Sequence, residues 1–139
     1  MSISKASAQW VGDLKSGKGT MKPDHAGEVP FAVNTRFEGA KGSNPEEMIG
    51  AALAGCFSMA LSLGLVKGGM TPEDIKTTAK VHLDKEGDGF SISKIELTTE
   101  VKATGGDAAK LKAIADETKK GCPVGKVLKA EVVLDAKLL

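Results

Sequence analysis

The chain has 139 residues, a length that accommodates one domain around one hydrophobic core. Nineteen Lys and Arg stand against 18 Asp and Glu, leaving a formal charge of +1. That balance excludes the strong field of a nucleic-acid or acidic-membrane binder. Both signs interleave, as in Lys76, Lys80, Asp84, Lys85 and Glu86, which is the pattern of a solvated surface.

The opening residues, Met1-Ser2-Ile3-Ser4-Lys5, carry no apolar stretch of the signal-peptide kind, so a cytoplasmic protein is expected. In that compartment a pair of thiols is more often reactive than structural. Ser4 to Val11 and Gly17 to Met21 read as short strands around a turn at residues 12–17. Residues 22–30 read as a polar loop and Phe31 to Phe37 as a third strand, after which residues 39–43 break the chain.

A helix should start next. Asn44 is a good N-cap, Pro45 suits the first helical position, and Glu46 and Glu47 complement the positive end of the macrodipole. Glu47 stands where it could complete a capping box with Asn44. The end is expected at Lys67-Gly68-Gly69, where glycine accepts the left-handed conformation. Met48 to Val66 contains no charge, which is long enough to raise the question of a membrane span. Its wealth of Ala, Gly and Ser, with no flanking aromatic belt, points instead to a buried central helix.

Thr71 to Asp74 reads as a turn or a brief helical start. Two alternating segments follow, with Thr77, Ala79, Val81 and Leu83 sharing one face of the first. In the second, Phe90, Ile92, Ile95, Leu97, Thr99 and Val101 face a core, and the change of phase near Ser93 and Lys94 predicts a β-bulge. Residues 85–89 make the pair a hairpin. Asp107 can cap a second helix with Leu111, Ile114 and Ala115 as its apolar stripe, ending at Gly121, and Ala130 to Leu138 closes the chain as a strand.

The expected fold is therefore α+β in one domain, residues 1–139, with antiparallel sheets packed around a long buried helix and a second, amphipathic one. The first helix is apolar on nearly all sides, more than one small sheet covers. A homodimer would bury the rest, with Gly50, Ala51, Ala54, Gly55 and Ser58 allowing close approach of a partner helix.

Two cysteines carry the chemistry or none of it. Cys56 lies in the charge-free helix and Cys122 in Gly121-Cys122-Pro123. Each could be a small buried hydrophobe or a reactive thiol. Arg36 either reaches solvent or turns inward, where it must find a partner because an unpaired buried charge costs several kcal/mol. His25 and His82 stand at no metal-ligand spacing from each other or from the cysteines, no Cys-x-x-Cys occurs, and the glycines form no phosphate loop.

Four blocks in order carry a resemblance: Arg36-Phe37-Glu38-Gly39, Gly42-Ser43-Asn44-Pro45-Glu46-Glu47, residues 51–58 around Gly55-Cys56-Phe57, and Gly121-Cys122-Pro123-Val124. Together with Trp10 to Gly19 they resemble the OsmC family of thiol peroxidases over nearly the whole chain. The arginine just before the helix is similar to the osmotically inducible branch rather than to the sister organic hydroperoxide resistance (Ohr) proteins. Gly55 and Gly125 depart from the alanine and serine usual there.

The resemblance implies an intertwined homodimer with no cofactor and no metal. It also implies that Cys56 is the peroxidatic cysteine, Cys122 the resolving one, and Arg36 and Glu46 the pair setting the first thiol's environment. Organic hydroperoxides would be reduced better than hydrogen peroxide through a sulfenic acid and an intramolecular disulfide, with an external dithiol, such as a lipoylated protein, restoring the thiols. Glu46 lies about 15 Å before Cys56 on a straight helix at ~1.5 Å per residue. A site built from both chains at a dimer interface is therefore expected. The competing reading is a non-enzymatic dimer that binds an apolar ligand and keeps its thiols inert.

Overall fold

A computed structural model describes all 139 residues. They form two compact units, Met1–Met48 and Ile49–Leu139.

In the first unit, β1 (Ala6–Val11), β2 (Lys18–Pro23) and β3 (Val29–Phe31) make an antiparallel sheet in chain order. The β1–β2 turn is tied by Asp13, whose carboxylate accepts from the Ser16 amide at 2.7 Å and the Ser16 hydroxyl at 2.6 Å. These bonds hold its pKa below the ordinary carboxylate value, the side-chain bond contributing most. Gly19 is required here: a Cβ at that position would lie 2.5 Å from the Phe31 ring and 2.7 Å from the Trp10 ring. The two ring centroids lie 5.4 Å apart over that gap, the planes tilted by 49°.

Phe31 to Phe37 is not one strand. β3 ends at Phe31, and Val33–Phe37 forms a short helix, α1. The Thr35 hydroxyl explains the turn: it accepts from the Ala32 amide and donates to the Ala32 carbonyl, both at 2.9 Å, closing the first helical turn locally. Apolar content without strict alternation was an insufficient strand signal against that bond.

The long helix α2 runs from Pro45 to Lys67. Asn44 caps it as expected, its Oδ1 accepting from the Glu47 amide at 2.8 Å. The Glu47 carboxylate, however, takes the Ser43 hydroxyl at 2.6 Å, which replaces the reciprocal half of the expected capping box. At the other end the Met70 amide donates to Leu65 O at 2.8 Å and the Gly69 amide to Val66 O at 3.0 Å, with Gly69 at φ +85°. This is a Schellman motif, sealed by the buried Leu65 and Met70.

In the second unit, β4 (Thr71–Glu86) and β5 (Gly89–Thr104) form a long antiparallel hairpin, with a register shift at His82/Leu83 that leaves Ser93 unpaired, the predicted bulge. Thr71 to Asp74 belongs to β4 rather than to a turn. Pro72 is tolerated because β4 is an edge strand, and the register shifts beside it. A further correction concerns β6 (Glu131–Leu138), which pairs parallel to β5, so the sheet is mixed. Parallel neighbours need a crossover, supplied by α3 (Ala108–Gly121) and the one-turn α4 (Pro123–Val127). Asp107 caps α3 through the Lys110 amide at 2.9 Å.

The core lies between the helices and one face of this sheet. Leu53, Phe57, Leu61 and Leu65 descend one side of α2 and are buried together with Ile95, Leu97, Val101, Leu111 and Ala115. Phe90, expected inside, is instead exposed near the hairpin tip. Close contact at α2 is made by glycine: a Cβ at Gly50 would meet Val81 at 3.1 Å, and one at Gly68 would meet Ile114 at 2.7 Å. The Ser58 hydroxyl donates to Thr77 at 2.7 Å, and Thr77 shares a 2.9 Å bond with the fully buried Thr99, pinning α2 to the sheet. Gly50 and Ser58 thus serve packing within the chain.

The remaining side of α2 is uncovered within the chain: Met59, Val66 and Leu63 are 80%, 60% and 56% exposed, flanked by exposed Ala51, Ala52 and Gly55. The expectation of a helix buried all round does not hold for one chain. By length and composition α2 also meets the measure of a membrane span, although its Leu and Phe row carries the core.

Candidate active site

Cys56 stands midway along α2, one residue from Phe57 in the core row, so the helix that anchors the core also fixes this sulfur. Cys122 occupies the joint between two helices. Its amide donates to Thr118 O at 3.0 Å as the C-cap of α3, while its carbonyl accepts from the Lys126 amide at 3.0 Å as the N-cap of α4. Pro123 follows at the first position of α4, where a missing N–H costs nothing and its fixed φ suits the helix. Both backbone groups of Cys122 are therefore hydrogen-bonded, which fixes the position from which the side chain projects.

The thiol points toward Cys56. The two sulfurs lie 3.2 Å apart with the Cys122 thiol donating, and both cysteines are unbridged. Cys122 is 1% exposed, while Cys56 is half-buried. Burial pushes the Cys122 thiol above its ordinary value. The amides of Gly125 and Val124 at the start of α4 pull it down, and the bond to Cys56 raises it again. A disulfide bond is about 2.05 Å long, so the pair needs to close by only about 1 Å.

Arg36, expected on a strand, lies in the last turn of α1. It forms a forked ion pair with Glu46 at the start of α2: Nε is 3.1 Å from each carboxylate oxygen, and Nη2 is 2.5 Å from Oε1. Glu46 is 7% exposed, so the carboxylate is matched where water scarcely reaches it. The guanidinium also lies 5.4 Å from the Phe37 ring centre. The two residues meet within one chain, so Arg36 needs no carboxylate from a partner, contrary to the interchain pairing expected from helix geometry. A bend in the chain through α1, rather than reach of the arginine, brings them together.

His82 lies on the outer face of the hairpin, its Nε2 2.6 Å from Glu96 Oε2. This bond holds the Glu96 carboxyl below its usual value.

Two features escaped the sequence. A cavity of about 370 Å³ opens beside Cys122, lined by Leu53, Phe57, Val132 and three lysines. It is formed by pieces of α2, α3, α4 and β6 that are far apart in the chain. The Ser58–Thr77–Thr99 hydroxyl chain had one visible signal, two threonines on core-facing strand positions.

The family model described as OsmC-like protein matches residues 38–137. The proteins called Peroxiredoxin OsmC of Escherichia coli (strain K12) and Shigella flexneri are each 54% identical over 136 residues. That stretch covers 96% of this chain and 95% of theirs. Among solved structures, an OsmC-like protein of unknown function from Vibrio cholerae superposes with a TM-score of 0.79 at 20% identity, covering 98% of this chain and 99% of that one. The organic hydroperoxide resistance protein OhrB of Bacillus subtilis gives 0.68 at 23%, covering 97% and 98%. The structural matches establish the α+β fold; the family model and the 54% relatives establish the lineage. The chain belongs to the OsmC family.

Proposed function

We propose that this protein is a cytoplasmic, homodimeric thiol peroxidase that reduces organic hydroperoxides in preference to hydrogen peroxide, using Cys56 and Cys122. The observation that carries this reading is the 3.2 Å approach of the two sulfurs, one buried and one half-buried. The name of the 54% identical relatives supports the reaction class.

In the proposed cycle the ionised Cys56 sulfur attacks one oxygen of R–O–OH. The O–O bond breaks, an alkoxide leaves and takes a proton to become the alcohol, and Cys56 is left as the sulfenic acid. The Cys122 sulfur then attacks Cys56, hydroxide leaves as water with the Cys122 proton, and a disulfide remains. An external dithiol, a lipoylated protein being one such donor, returns both thiols and is itself oxidised to a disulfide.

Arg36 is the cation assigned to favour the thiolate and to hydrogen-bond the peroxide. Glu46 holds its guanidinium in one direction through the fork. The preference for organic substrates rests on the apolar residues around the cysteines. The dimer rests on the apolar face of α2 that the chain leaves open.

Steady-state consumption of cumene hydroperoxide, tert-butyl hydroperoxide and hydrogen peroxide, with dithiothreitol as donor, tests the assignment. The expected order of kcat/KM places both organic peroxides above hydrogen peroxide. No consumption of any of the three would end it.

A further inference from the structure

We propose that the cavity between the β1–β2 turn and α1 is a binding site for a small uncharged aromatic molecule carrying one hydrogen-bond-accepting oxygen, such as an aryl alcohol. The site lies wholly within the first unit and does not depend on the thiols, so it goes beyond the peroxidase reading.

The cavity holds about 380 Å³, the size of a small-molecule site. Three of the chain's five aromatic residues line it, Trp10, Phe31 and Phe37. Their surfaces are reachable: Phe37 is 48% exposed, and Trp10 and Phe31 are half-buried. The Trp10 and Phe31 planes are tilted by 49° rather than closed face to face. That leaves ring surface for another ring, in the edge-on or offset packing that aromatic groups prefer. Leu14, 75% exposed, completes the apolar wall.

The polar groups select the rest of the ligand. Trp10 Nε1 already donates to the Asp13 carbonyl at 3.2 Å. The Ala32 amide is bonded to Thr35, and its carbonyl accepts from both Thr35 and Arg36. Arg36 is the one charged residue on the wall. Its Nε and Nη2 are engaged by the Glu46 fork, while Nη1 takes no part in it. A guanidinium only donates, so the ligand needs an acceptor oxygen. It needs no charge of its own, because Glu46 already matches the cation. A ring carboxylate would give up its hydration for a guanidinium that is already paired. The same guanidinium lies 5.4 Å from the centre of the Phe37 ring, which holds donor and aromatic wall side by side. On the thiol-peroxidase reading, the occupant would hold the donor assigned to the peroxide and so compete with it.

The test titrates the full-length reduced protein with benzyl alcohol and follows tryptophan fluorescence, Trp10 being the only tryptophan. A saturable change is expected. Cyclohexylmethanol, without the π system, and benzoate, with a charge, should each bind more weakly on the order of tenfold. No saturable change, or equal affinity for cyclohexylmethanol, would overturn the aromatic site, and tighter binding of benzoate would overturn its neutral character. Phe37→Leu and Arg36→Gln should each weaken benzyl alcohol on the order of tenfold, and unchanged affinity in both would overturn the assignment. Amide NMR shifts in the wild type give a check that needs no variant. They should cluster at residues 10–14 and 31–37, and a cluster elsewhere would overturn the location. Binding without competition against peroxide would leave the site standing and remove the role assigned to Arg36 in the peroxidase reading.

Discussion

Cys122 Sγ lies 3.2 Å from Cys56 Sγ across 66 residues of sequence, one sulfur held by the middle of α2 and the other by the joint between α3 and α4. Neither needs its backbone to move far to bond the other. The two serine variants should therefore separate two steps. Cys56→Ser should show no peroxide turnover and no sulfenic acid. Cys122→Ser should consume one equivalent of peroxide and stop, its sulfenic acid trapped by dimedone and seen as an added mass. Equal residual turnover in the two variants would contradict the assigned roles.

The Arg36–Glu46 fork predicts a double effect. Arg36→Ala leaves a carboxylate that is 7% exposed without its partner. Breaking such a pair, part of which remains wet, should cost about 1–3 kcal/mol in urea unfolding. Under the role proposed for Arg36, the rate of Cys56 oxidation should also fall, by on the order of tenfold or more. Arg36→Lys should restore some stability but not the planar two-point grip. An unchanged oxidation rate in Arg36→Ala, followed by stopped flow, would remove the arginine from the mechanism.

The sequence was most readable where a local rule sufficed. Asn44, Pro45 and the Gly68-Gly69 pair bracketed α2 because caps and left-handed glycines act within a turn. The phase slip at Ser93 exposed the bulge for the same reason. Where a single hydroxyl or a distant strand decided the outcome, the pattern misled. Thr35 closed α1 out of what looked like a strand, and the parallel pairing of β6 depended on where α3 delivers the chain. The cysteine roles came from ordered motif blocks. Their separation, and the cavity behind Cys122, required the fold.

A pH dependence follows from the raised Cys122 thiol. Its folded value lies above the unfolded one, so both states hold the proton below the ordinary thiol value of about 8.5 and stability is unaffected there. Above that value the unfolded chain loses the proton first, and the native state loses stability as pH climbs toward the raised folded value. The stability of reduced wild type minus that of Cys122→Ser, from urea melts between pH 7 and 10, should be level at first and then fall. A difference that rises above pH 8.5 would be the wrong sign.

The open face of α2 predicts a monomeric variant. Leu63 is 56% exposed in one chain and faces away from the Leu53, Phe57, Leu61 and Leu65 row. Leu63→Glu places a charge where a second copy should pack, and light scattering should then report half the wild-type mass, about 14.3 kDa per particle. A wild type of that mass would remove the proposed dimer.

The most direct test adds one equivalent of cumene hydroperoxide to the reduced protein and counts thiols. Two should disappear per chain, with a single cross-linked species joining the peptides that contain Cys56 and Cys122. Two thiols still free after the peroxide, or a cross-link absent while both are lost, would contradict the account.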